Sequence, residues 1–154
     1  MNNTIRPLGR DDLGRVGHLA ESNGMFPAAM LDDMVAPFFS KQSGDHRWLV
    51  LDDGRVDGVA YYVPEALTDG TWNLLLIAVE PERHGQGIGS ALMQFVEQQL
   101  AGQGQRILLV ETSGKPEFER TRAFYTMLGY DREARIRDFY AAGDDKIVFR
   151  KALA

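Results

Sequence analysis

The sequence predicts an α/β (α+β) fold: a mixed, mostly antiparallel sheet of about seven strands with helices on both faces. Three observations predict it. Short apolar runs separated by turn residues recur along all 154 residues. Asp53-Gly54 divides two such runs with the dipeptide of a tight hairpin, which makes that pair antiparallel. An amphipathic run, Ile88 to Leu100, instead joins two apolar runs, and a helical crossover of that kind implies a parallel pair.

Taken in order, Thr4 to Pro7 reads as a short strand. Asp11 to Ser22 reads as a helix, with Leu13, Val16, Leu19 and Ala20 at helical spacing. Pro27 to Ser40 is a second helix; proline suits a first turn, and Met30, Leu31, Met34 and Phe38 share one face. Arg47 to Asp52 and Val56 to Pro64 are the hairpin strands. Thr71 to Val79 is a fourth strand, whose continuous apolar run predicts burial on both faces. Gly102 and Gly104 punctuate the end of the helix that follows. Ile107 to Val110 is a fifth strand, apolar throughout. Pro116 opens a further helix and Gly129 closes it. Strands from Arg132 to Tyr140 and from Lys146 to Arg150 finish the chain.

Composition narrows the function. A chain of 154 residues is expected to form one domain, 1–154, with a real core. A net charge of −5 argues against a nucleic-acid surface. Arg120, Arg122, Arg132, Arg135 and Arg137 cluster in sequence, but solvated helix and strand faces account for them better than a binding patch. No cysteine is present, so disulfides, a thiol nucleophile and cysteine metal sites are excluded. The three histidines, His18, His46 and His84, stand at unrelated spacings, and no metal is expected. Met1-Asn2-Asn3-Thr4 lacks the charged start and apolar stretch of a leader, and no run approaches the ~18 apolar residues of a membrane span. A cytoplasmic protein without membrane partners is the expectation.

The segment from Glu80 to Ala91 is the most informative in the chain. Gly85, Gly87 and Gly89 alternate in a turn between the apolar run ending at Val79 and the helix starting at Ile88. Glycines there permit positive φ and keep side chains away from the backbone. The first amides of the helix then face outward at the positive end of its dipole, an arrangement suited to phosphate. A helix usually carries a cap or an acid in its first turn. Here the first acid after Gly85 is Glu97, which leaves room for a bound anion as the negative partner. The dinucleotide fingerprint fails in either register, since its last glycine falls on Ser90 or Leu92. The nucleoside-triphosphate loop fails too, because no lysine occurs from Asp52 to Leu100.

The spacing does resemble the acyl-CoA motif of the GNAT superfamily of N-acyltransferases, Arg/Gln-x-x-Gly-x-Gly/Ala. On this chain it begins at His84, with Gly87 and Gly89 as the small residues. His84 departs from the usual first residue, and Arg83 beside it is a candidate to compensate. Ile5-Arg6-Pro7-Leu8 resembles the family's first strand, Ala123 to Tyr130 its Tyr-x-x-x-Gly-aromatic helix end, and Phe139-Tyr140 with Asp145 to Phe149 its closing hairpin. Family members often carry Asn seven residues before the helix tyrosine; Phe118 stands there.

The resemblance implies an N-acetyltransferase, a single GNAT-like domain with a splayed central strand pair. It implies transfer of acetyl from acetyl-CoA directly to a primary amine in a ternary complex, without a metal. A non-catalytic acyl-CoA sensor or interaction module is the alternative. The implied coenzyme contacts are Ile77, Ala78 and Val79 in the strand, then His84, Gly85, Gln86, Gly87, Ile88, Gly89 and Ser90. Tyr125 is the implied proton donor to the leaving thiolate. Residues 121, 125 and 128 share one helical face, in keeping with that role. Glu111 and Glu80, each expected at a strand end, are the candidate bases, Glu111 preferred. The implied acceptor is a small-molecule or peptide amine, with Pro27 to Ser40 either a lid over it or plain core packing. A homodimer is among the assemblies open to the family.

Overall fold

The computed structural model describes residues 4–40 and 45–153. The leader expectation read on Met1-Asn2-Asn3 lies outside them. The strands are β1 (Thr4–Pro7), β2 (Arg47–Asp52), β3 (Val56–Pro64), β4 (Thr71–Val79), β5 (Ile107–Ser113), β6 (Asp131–Ala141) and β7 (Asp144–Ala152). The helices are α1 (Leu13–Ser22), α2 (Leu31–Ser40), α3 (Ile88–Gly102) and α4 (Glu119–Met127). One mixed sheet runs β1-β2-β3-β4-β5-β7-β6. β4 pairs with β5 in parallel, joined by α3 as the crossover rule requires.

The chain packs as two compact units. The first comprises Met1–Pro64 and Leu75–Val96. In it β2 and β3 pair antiparallel from Arg47↔Tyr62 to Leu51↔Gly58, and β1 adds to the far side of β2. Trp48 and Tyr61 stack with ring centroids 4.2 Å apart. Val16, Leu19 and Ala20 of α1 are fully buried, as their spacing predicts. Leu31 and Val35 of α2 join the same core.

The predicted face of the second helix needs correction. Met30 is 51% exposed and Val35 is buried in its stead. Ala28–Met30 form a tighter 3-10 turn ahead of α2, which moves Met30 off the stripe that carries Leu31 and Val35. The fourth strand meets expectation in its first half and departs from it in the second. Trp72, Asn73 and Leu74 are buried in succession, whereas from Leu75, 50% exposed, burial alternates through Leu76 and Ala78, the pattern of a strand covered on one side. Gly58 explains how α3 seats on β3: a Cβ there would lie 2.9 Å from both Ile88 Cγ2 and Leu92 Cδ1.

The second unit comprises Glu65–Leu74 and Glu97–Ala154. Its parallel ladder runs from Thr71↔Ile107 to Leu74↔Val110. β5 extends past the apolar run to include Glu111, Thr112 and Ser113. These polar residues are strand because β7 pairs with them, at Val148, Ile147 and Lys146. Glu111 therefore stands inside β5, not at its end. Phe149 of β7 packs against Tyr125 of α4, ring centroids 5.6 Å apart. The Tyr130 hydroxyl donates to Glu97 Oε2 at 2.7 Å, and Lys151 donates to Glu97 Oε1 at 2.9 Å. β6 closes the sheet, exposed along its whole length. No helix among the described residues is long and apolar enough to cross a membrane.

Candidate active site

β4 delivers Ile77, Ala78 and Val79 to the glycine turn, with Ala78 buried and its neighbours half-buried. A 3-10 turn, Pro81–Arg83, follows, and then the glycines. Gly85 and Gly87 take φ of +81° and +85°, and nothing lies within 4 Å of where their Cβ atoms would be. Both glycines are open to solvent, as is Gln86 between them. A side chain at either position would be strained by the backbone without being crowded.

The first bond of α3 beyond the turn runs from the Ala91 amide to the Gly87 carbonyl at 3.0 Å. The amides of Ile88, Gly89 and Ser90 precede it and have no intrahelical acceptor. No acidic side chain lies in the first turn of α3. Ile88 is buried and anchors the turn, while Gly89 and Ser90 remain partly open. The arrangement is a row of outward amides at a positive helix end, with chemistry suited to an anion.

The turn is bolted in place by ions that sequence reading missed. Arg83 ion-pairs with Asp53, and its Nη1 donates to Asp57 Oδ2 at 2.8 Å. Its Nε donates to Gln86 Oε1 at 3.2 Å. Arg83 is thus neutralised by two aspartates. The exposed His84 turns back, its Nε2 lying 2.9 Å from the Val79 carbonyl.

Asp57 is 2% exposed and also meets Arg15 at 2.9 Å and Arg55 at 2.7 Å. Burial penalises its charge, but Arg83 and Arg55 outweigh that and hold its pKa below the ordinary carboxylate range. A carboxylate depressed in the folded state stabilises above its unfolded pKa of about 4 and loses that contribution as pH falls through the folded value. Asp57→Asn is therefore expected to cost about 2–3 kcal/mol at neutral pH. That is less than for a sealed ion pair, because the arginines reach solvent. Urea unfolding should show a constant gap between variant and parent from about pH 7 to 5, narrowing below about pH 4.

Glu80 is buried beside this network. Its Oε2 lies 3.0 Å from Arg15 Nη2 and 3.2 Å from His18 Nε2. Burial works against its charge, yet Arg15 and then His18 bring its pKa below the usual range. A carboxylate so occupied is a weak base and a strong tie between α1 and the end of β4.

Glu111 is placed differently. Its Oε2 accepts from Asn73 Nδ2 at 2.9 Å and pairs with Lys146 Nζ at 3.0 Å, and its side chain is 23% exposed. Lys146 in turn sits 4.2 Å from the Phe139 ring centroid. Tyr125 is enclosed, 3% exposed, among Phe124, Tyr130 and Phe149. Burial alone pushes its phenol pKa up. Each unit thus carries part of the implied set: Glu80 and the coenzyme contacts in the first, Glu111 and Tyr125 in the second. Asn73 was legible as a polar amide interrupting the apolar run of β4; Asp57 and Arg15 carried no local signal. Among the described residues no group of three or more His, Asp or Glu is placed to hold a metal ion.

Residues 43–132 match the acetyltransferase (GNAT) domain family. None of the curated proteins matches the sequence. Among solved structures, a protein assigned to the GNAT acetyltransferases from Desulfovibrio desulfuricans is 33% identical, with a TM-score of 0.91 over 99% of this chain and 100% of that one. A ribosomal-protein alanine N-acetyltransferase from Escherichia coli shares the fold at 23% identity, TM-score 0.79, over 99% of this chain and 95% of its own. An acetyltransferase from Salmonella typhimurium, solved with acetyl-CoA, shares it at 17% identity, TM-score 0.77, over 99% and 94%. With more than half its length matched to the family and a one-third-identical relative along its whole length, the chain belongs to the GNAT acetyltransferases.

Proposed function

We propose that this acyltransferase moves the acetyl group of acetyl-CoA directly to a primary amine while both substrates are bound. The observation that carries the reading is the open turn at Gly85 and Gly87, with acid-free helical amides behind it. Those amides take the CoA pyrophosphate, and charge-assisted N–H···O bonds supply affinity there. Ile77, Ala78 and Val79 present strand backbone to the pantetheine arm, and the exposed Leu75 lies on the same strand. An amide near Val79 is the donor for the thioester oxygen as it gains charge.

Holding donor and acceptor together supplies much of the acceleration, up to roughly 7–11 kcal/mol in favourable cases. The amine nitrogen bonds to the acetyl carbon, the carbon–sulfur bond breaks, and the nitrogen gives up a proton. An alkylamine with a pKa of about 10 is mostly protonated at neutral pH, so a base is needed. Glu111 is the better base of the two glutamates, because its side chain is 23% exposed against 8% for Glu80, whose pKa Arg15 and His18 hold below the usual carboxylate range. Tyr125 is the donor to the thiolate. Its raised pKa means that it arrives protonated, and a thiolate formed in the same dry surroundings is itself made more basic.

Structural neighbours acting on aminoglycosides and on a ribosomal protein point to amines as the acceptor class. Release of free thiol from acetyl-CoA is expected with at least one member of a panel holding a polyamine, an amino acid, an aminoglycoside and a peptide with a free N-terminus. The acetylated amine should form in equal amount by mass spectrometry. Thiol release at the background rate with every amine would overturn the assignment.

A further inference from the structure

We infer that Asn73 is a positioning residue that locks the Glu111 carboxylate by Oε2 and leaves Oε1 to take the acceptor's proton. The inference rests on Glu111 acting as the base. Among the described residues, the two donors that reach Glu111, Asn73 Nδ2 at 2.9 Å and Lys146 Nζ at 3.0 Å, both sit on Oε2. An oxygen with two donors has its lone pairs filled, so a proton arriving from an ammonium or a bridging water goes to the other oxygen. In that step an N–H bond breaks and an O–H bond forms on Oε1; solvent later takes the proton.

Asn73 is costly where it stands. It is 3% exposed, between Trp72 and Leu74 in an apolar run, and its Oδ1 is buried without a hydrogen-bond partner. An apolar residue of the same size would remove that penalty. What the amide contributes instead is orientation. Its Nδ2 donates to Glu65 Oε1 at 2.9 Å as well as to Glu111, so both of its hydrogens are spoken for and its plane is fixed. Phe139 under Lys146 restrains the second donor.

The charged and titratable groups facing Glu111 come from several elements. They are Glu65 beyond the shared amide, Lys146 of β7, and Tyr140 of β6, which Asp144 of β7 also faces. Removing the Asn73 donor weakens the ionised form of Glu111, whereas removing the like charge of Glu65 favours it. The two changes should therefore move the acidic limb of the kcat/KM profile in opposite directions.

The test uses the full chain, acetyl-CoA and whichever panel amine reacts fastest. Glu111→Gln should lower kcat at least about 100-fold; an unchanged rate would overturn the base assignment and this inference together. Given that loss, Asn73→Leu should lower kcat about tenfold or more with KM for acetyl-CoA held within about twofold. Its acidic limb should move to higher pH, and that of Glu65→Gln to lower pH. An unmoved limb in a folded Asn73→Leu, or limbs moving the same way in both variants, would overturn the positioning role. If Asn73→Leu fails to fold, Lys146→Met carries the same test from the other donor: an acidic limb moved to higher pH supports the lock, and one left in place overturns it.

Discussion

Gly87→Glu is expected to abolish measurable binding of CoA while leaving a folded protein. Position 87 sits at φ +85° with open space around its Cβ, so the fold meets backbone strain of about 1–2 kcal/mol and no clash. The new carboxylate would stand at the mouth of α3, whose first turn holds no acid of its own. It would cap the outward amides itself, recovering part of the strain through the helix dipole. The same carboxylate repels a diphosphate and occupies its donors. Hydrogen bonds to charged groups contribute about 1.5–3 kcal/mol each, so losing two raises Kd at least about 100-fold. Calorimetry with CoA reads the affinity, and a thermal melt confirms folding. Gly87→Ala separates the causes: it carries the strain without the charge and should weaken binding no more than about tenfold. Parental affinity in folded Gly87→Glu would move the coenzyme site elsewhere.

What could be read from the chain follows the range of each physical signal. The glycine turn, the Asp53-Gly54 hairpin and the crossover helix rest on neighbouring residues, and they stand where expected. The end of β5 rests on a partner strand. Glu111, Thr112 and Ser113 have no strand signature of their own and become strand by pairing with β7, more than thirty residues away. Met30 and Val35 exchanged places because a 3-10 turn changes the pitch just ahead of α2, and apolar spacing alone does not reveal pitch. Arg83 looked available for phosphate by adjacency. Its real partners, Asp53 and Asp57, come from a hairpin about thirty residues earlier. The same holds for Asn73 and Glu111, 38 positions apart. A single polar residue in an apolar strand announces that a partner exists but not which one.

Tyr125→Phe is expected to lower kcat by about 10²- to 10⁴-fold, the span that general acid catalysis supplies, with acetyl-CoA affinity nearly unchanged. The substitution removes one oxygen and keeps the ring. The contacts of that ring with Phe149 at 5.6 Å, Tyr130 at 6.0 Å and Phe124 at 5.3 Å should persist, so the melting temperature should barely move. Loss of rate without loss of binding marks an interaction made only in the transition state. The leaving thiolate provides the sharper test. A thiol with a pKa near 8.5 needs a proton as its bond to carbon breaks, and a more acidic thiol needs it less. An acetyl-CoA analogue with a more acidic thiol should therefore suffer less from Tyr125→Phe than acetyl-CoA does. A core role for the hydroxyl would penalise both donors equally, and an unchanged kcat would take Tyr125 out of the chemistry altogether. Because burial raises the pKa of this phenol, its deprotonation should not limit the parent's rate anywhere below about pH 10. An alkaline fall in kcat near pH 8 would have to come from another group.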